Sequence, residues 1–74
     1  MTIYNKVGAN ISRERKKRHL TQKQLAEKMG CPISTLGAVE RGSRRCSLVF
    51  LDQVAAALGM NGIDLIVKRD TFED

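Results

Sequence analysis

Thr21-Gln22-Lys23-Gln24-Leu25-Ala26-Glu27-Lys28-Met29-Gly30-Cys31-Pro32-Ile33-Ser34-Thr35-Leu36-Gly37-Ala38-Val39-Glu40-Arg41-Gly42 carries the start and stop signals of two short helices and of the tight turn between them. Thr21-Gln22-Lys23-Gln24 is a capping box. The threonine hydroxyl accepts from the backbone N–H of Gln24, and the Gln24 side chain reaches back to the N–H of Thr21. A helix therefore starts at Gln22, buries Leu25, Ala26 and Met29, and stops at Gly30, because glycine turns left-handed there without strain. Pro32 then stands at or just before a new first turn, where no intrahelical bond needs its N–H. The next helix runs from about Ile33 to Arg41. At 100° per residue Ile33, Leu36 and Val39 share an arc of roughly 120° that can face a core, while Ser34, Ala38 and Arg41 point the opposite way.

On the N-terminal side, Val7, Ile11 and Glu14 or Arg15 recur at helical spacing, which predicts a helix from about residue 5 to Arg18. Lys16, Lys17 and Arg18 fill its last turn, where the helix dipole favours cations, and His19 takes the left-handed closing conformation. Glu14 falls on the apolar stripe and is placed to pair with Arg18 four residues on. On the C-terminal side Gly42-Ser43-Arg44-Arg45 is a basic loop. Ser47 caps a fourth helix with the stripe Leu48, Leu51, Val54, Ala55 and Leu58, stopped by Gly59. After Asn61-Gly62 the run Ile63-Asp64-Leu65-Ile66-Val67-Lys68 is rich in β-branched residues and predicts a strand. The chain offers no second strand to pair with it, and a lone strand leaves a row of unpaired N–H and C=O groups.

Seventy-four residues make one domain, read here as a single unit over 1–74 with a helical body over about 5–59 and a strand and tail over about 60–74. A core this small rarely supplies more than about 3–5 kcal/mol, so a second subunit is expected to help. The net charge is +5, unevenly spread: through Arg45 there are 11 basic and 3 acidic residues, and from Cys46 onward 2 basic and 5 acidic. The basic part is suited to a polyanion and the tail is not. Apolar runs such as Val54 to Leu58 are far short of the roughly 20 residues a membrane span needs. With no signal-peptide pattern at the N-terminus, the expected location is the cytoplasm. Cys31 and Cys46 are then reduced, small hydrophobes. One histidine, His19, and no Cys-x-x-Cys pair leave no conventional zinc site. No phosphate-binding glycine loop or nucleophile–base–acid set points to an enzyme or a cofactor.

Two helices about a glycine turn, the second with a small polar face between basic flanks, form a helix-turn-helix arrangement. From Gly8 to Gly59 the chain resembles the Cro/repressor-type (XRE) helix-turn-helix family, through Leu20-Thr21-Gln22-Lys23-Gln24-Leu25-Ala26, Gly30, Ser34-Thr35-Leu36, Val39-Glu40-Arg41-Gly42 and Ser47-Leu48 with Ala57-Leu58-Gly59. The resemblance implies a mainly α, four-helix lambda-repressor-like domain that binds a palindromic operator in double-stranded DNA as a homodimer. Leu58-Gly59-Met60 followed by a strand looks more specifically like the HipB-type antitoxins, whose C-terminal strands pair across the dimer and whose partner is a HipA-type kinase toxin. Ile63, Leu65, Ile66 and Val67 would then form the dimer strand. The alternatives are a stand-alone phage-type repressor or controller protein, and a protein-interaction module that has lost operator reading.

The same resemblance implies the site. Gln22, Lys23, Arg41, Ser43, Arg44 and Arg45 are expected at DNA phosphates, a role that a helix N-terminus and a basic loop also suit. Ile33, Ser34, Gly37 and Ala38 are the expected base-reading positions, with Ile33 equally able to join the core. None of the four is Gln, Arg or Asn: Ser34 can hydrogen-bond several base edges, and Ile33 and Ala38 can touch thymine methyls. Arg15 and Glu40 stand where the family has a semi-buried ion pair between the first and third helices. Lys6, Arg13, Lys16 and Lys17 read as a solvated face.

Overall fold

A computed structural model describes residues 2–66. Five helices follow one another in it: α1 (Ile3–Lys17), α2 (Gln22–Met29), α3 (Ile33–Arg41), α4 (Leu48–Leu58) and α5 (Ile63–Ile66). α1 starts two residues earlier than the stripe predicts because Thr2 forms a capping box with Asn5, an asparagine doing the work expected of Glu or Gln. The box at Thr21 and Gln24 starts α2, and Ser47 caps α4 through the N–H of Phe50. His19 closes α1 with φ 58°, a left-handed value, and Gly30 makes the α2–α3 turn at φ 72°.

The helices enclose one core. Ile11, Leu25, Leu36, Val54 and Leu65 are fully buried, and Val7, Ala26, Val39, Leu51, Ala55 and Leu58 surround them. α1 crosses α3 at Gly8, where a side chain would meet the backbone oxygens of Val39 and Glu40. Ile33 does not join this core: it is 48% exposed, because α3 rotates its inner arc toward Leu36 and Val39. Glu14 binds Arg18 at 2.9 Å, as expected, and Arg18 also donates from Nε to the carbonyl of Leu58 at 2.8 Å. The Arg18 hydrogen bond holds the Glu14 carboxyl below its ordinary pKa against the opposing effect of burial, with Lys17 adding to the lowering. One arginine thus joins the C-terminal ends of α1 and α4, where the helix dipole favours a cation.

The strand expected from Ile63 is corrected. Residues 63–66 form a helical turn, and the described residues contain no strand. Leu65 is completely buried in the chain's own core, and the carbonyl of Leu65 accepts from Asn10 Nδ2, itself buried, at 2.7 Å. Burying a leucine contributes about 1.5–3 kcal/mol, more than the roughly 1 kcal/mol range of β-propensity, so the long-range contact overrides the local preference. Ile63, Leu65 and Ile66 therefore build no intersubunit ladder, and Val67 lies outside the described residues. No helix among the described residues is long and apolar enough to cross a membrane.

Candidate nucleic-acid interface

The outer face of α3 begins at Pro32 and is built from Ile33, Ser34 and Arg41, all exposed, with Ala38 half-buried beside them. Gly37 lies on the same face but is buried, so it presents no surface of its own. Two side chains cover it. A Cβ at position 37 would stand 3.3 Å from Arg41 Nη1 and 3.5 Å from Gln22 Oε1.

Gln22 occupies the first position of α2, and the α2–α3 turn brings it against the last turn of α3. Its Nε2 donates to Glu40 Oε1 at 2.9 Å. Glu40 in turn accepts two bonds from Arg15, Nε to Oε2 at 2.8 Å and Nη2 to Oε1 at 3.1 Å, while Arg15 Nη1 donates to the carbonyl of Leu20 at 2.7 Å. The pair is nearly dry, with side chains 10% and 5% exposed. The forked geometry fits guanidinium to carboxylate and leaves the Glu40 charge compensated beside the exposed face. Lys23, the next residue of α2, is exposed.

After α3, Gly42 turns left-handed at φ 77° against Asn5, whose Nδ2 donates to the carbonyl of Arg41 at 3.4 Å. Ser43 closes the helix end: its N–H and its hydroxyl both donate to the carbonyl of Ala38 at 3.1 Å. That hydroxyl proton is committed inside the chain, unlike the donors of the neighbouring arginines. Arg44 is exposed, and Arg45 lies 5.9 Å from the ring centroid of Tyr4, a cation–π distance that ties the basic loop to α1.

Gln22 from the head of α2 and Arg41 from the last turn of α3 thus meet over Gly37 on the outer face of α3, and Lys23, Arg44 and Arg45 are exposed on the segments next to it. The helix-turn-helix profile matches the chain over residues 11–65, which contains this whole surface. The chain belongs to the helix-turn-helix family. The immunity repressor of Bacillus phage phi105 is 45% identical over 66 residues, which are 89% of this chain and 45% of the repressor; the chain spans less than half of that relative's length. The restriction-modification controller protein C.AhdI from Aeromonas hydrophila superposes with a TM-score of 0.81 at 35% identity, over 84% of this chain and 94% of that one. SinR, a regulator of biofilm formation solved in complex with DNA, gives a TM-score of 0.78 at 32% identity, over 82% of this chain and 98% of that one.

In this helix-turn-helix chain the motif consists of α2 and α3. Tyr4, Asn5 and Gly8 buttress it from α1, and none of the three was legible as a site residue in the sequence. A glycine in the middle of an otherwise helical pattern is the signal that marks Gly8, since it weakens a helix unless a close approach requires it. Asn5 and Tyr4 carry no such mark, because their partners lie across the fold.

Proposed function

We propose that the chain is a sequence-specific DNA-binding transcriptional regulator that acts as a homodimer and lays α3 in the major groove of a palindromic operator. The observation that carries this reading is the exposed face of α3, over whose Gly37 the Gln22 and Arg41 side chains meet, with Lys23, Arg44 and Arg45 exposed on the segments that flank the helix. An α-helix fits the major groove, and flanking cations meet the phosphates on its rims. Kinship with a phage repressor, a controller protein and a DNA-bound regulator supports it. Within this class the stand-alone repressor or controller is the better reading. The HipB-type reading, with its HipA-type kinase partner, rested on a paired C-terminal strand, and helical residues 63–66 withdraw that support.

A dimer making about 6–8 phosphate contacts should lose affinity with salt at a log–log slope of roughly −5 to −7. Fluorescence anisotropy on duplexes selected from a random pool is expected to show this slope, flattened by Arg44→Ala for all sequences alike. Failure of every duplex to bind would leave only the protein-interaction module. A kinase captured on the tagged chain from its source cells would restore the antitoxin reading.

The dimer is expected to form on an apolar groove of about 220 Å³ between α1, α4 and α5, lined by Ile3, Tyr4, Val7, Cys46, Leu48, Leu51 and Ile66. Leu48 is 76% exposed and Ile3 57%. Burial also pushes the Cys46 thiol pKa up, which keeps it a neutral part of this wall. Leu48→Asp should yield a monomer by light scattering at micromolar concentration, with an unchanged helical spectrum. A dimer that survives this change places the interface elsewhere.

A further inference from the structure

Granting the DNA-binding reading above, we infer that Arg41 is a base-reading residue that recognises a guanine in each half-site, and that Gly37 is the notch that lets it reach the groove floor. Basic residues at the end of a reading helix are ordinarily assigned to phosphates. The geometry here differs. Successive residues advance 100° around a helix, so position 41 falls within about 20° of position 34 and about 40° of position 37, on the stripe that faces the groove rather than on its flank. Side chains on a helix lean toward its N-terminus, which carries Arg41 back over the residue one turn earlier. That residue is Gly37, and Arg41 Nη1 comes to 3.3 Å from where a Cβ would stand. The guanidinium thus lies back over Gly37, one turn before its own Cα, and not out toward the basic loop.

The surroundings suit a reader. Gln22 covers the other side of Gly37 and is itself held by Glu40 at 2.9 Å, so the guanidinium lies beside an anchored amide and not beside open solvent alone. Among the described residues Arg41 makes no side-chain hydrogen bond and no ion pair; Glu40, the adjacent carboxylate, is engaged by Arg15 and Gln22. Its donors are free for a ligand. A guanidinium matches the O6 and N7 acceptors of guanine bidentately, and no other residue on this face can do so. Ser34, Ala38 and Ile33 would then contribute one adaptable hydrogen bond and apolar contacts around the arginine.

The test compares duplexes selected by the parent protein with copies in which single guanines are replaced, using the parent, Arg41→Lys, Arg41→Ala and Gly37→Ala. The parent should prefer one guanine per half-site by about 5- to 150-fold, the range of a good bidentate pair. Arg41→Lys keeps the charge and loses the fork. It should therefore retain the salt slope and binding to unselected DNA while showing a smaller guanine preference, and Arg41→Ala should lose that preference altogether. Gly37→Ala should melt at the same or a higher temperature, since alanine favours a helix interior, yet show a weakened guanine preference because the guanidinium must give way by a few tenths of an ångström from its seat over position 37. The inference is overturned if Arg41→Ala keeps the guanine preference, or if Arg41→Ala weakens all duplexes equally and reduces the salt slope by about one, the mark of a phosphate contact. It is overturned too if the parent binds DNA with no guanine preference. Absence of DNA binding by the folded parent is a different result and would remove the functional reading itself.

Discussion

Gly8→Ala is expected to destabilise the chain by more than about 2 kcal/mol, a large part of the roughly 3–5 kcal/mol a core of this size supplies. An added Cβ would fall against the backbone oxygen of Val39, 2.6 Å from that of Glu40 and 2.9 Å from the carbon of the same carbonyl. None of these is a flexible side-chain end that can swing aside. α1 and α3 would have to separate, and the Leu36 and Val39 side of α3 would lose its packing against Val7 and Ile11. Alanine is the better helix former by about 1 kcal/mol, so local propensity favours the variant and only the interhelical contact opposes it. Gly37→Ala is the control, because there the new Cβ meets only side-chain termini. Urea titration should separate the two variants widely, and coincident midpoints would show that the helices do not approach closely at Gly8.

Glu40→Ala is expected to cost about 3–5 kcal/mol, the penalty for stranding a buried charge. Arg15, with its side chain 10% exposed, would lose two of the three hydrogen bonds that hold it, and Gln22 would lose its anchor. Arg15→Ala should cost a similar amount from the other side. Lys16→Ala, on the exposed face of the same helix turn, should leave the midpoint within about 0.5 kcal/mol of the parent. Replacing both partners with apolar residues of similar shape should recover much of the loss, since a buried ion pair stabilises mainly in comparison with half of itself. Thermal melts of the two single variants and the double one check this. Additive losses in the double variant would mean that Arg15 and Glu40 are not coupled.

The parts of the fold legible in the sequence are those whose cause is local. The Thr21 capping box, the left-handed closures at His19 and Gly30, and the Ser47 cap each depend on residues within four positions of one another, and each stands where the pattern put it. Arg15 and Glu40 were legible only together, through the resemblance and the helical phase of Arg15. Phase alone left Ile33 open between core and surface, because an arc three residues wide does not say which of its edges the neighbouring helix covers. The tail was misread for a related reason: Ile63, Ile66 and Val67 favour a strand locally, whereas Leu65 and the bond from Asn10 act across 55 positions. The covering of Gly37 belongs to the same class. Nothing in the order of residues says that Gln22 and Arg41 meet over it.

That bond from Asn10 to the carbonyl of Leu65 also makes the two ends of the described chain depend on each other. Asn10 Nδ2 and Leu65 belong to the first and last described helices, so the core is closed on that side only when the last turn docks. Joining ends so far apart carries a chain-closure entropy that grows only slowly with length, so the separation is not itself a heavy cost. α1, α2 and α3 can assemble earlier, since Arg15 reaches Glu40 across only 25 positions. A chain ending before residue 65 would therefore carry the α2–α3 pair on an unsealed body, with the Asn10 amide left without its acceptor and the core uncovered beside it.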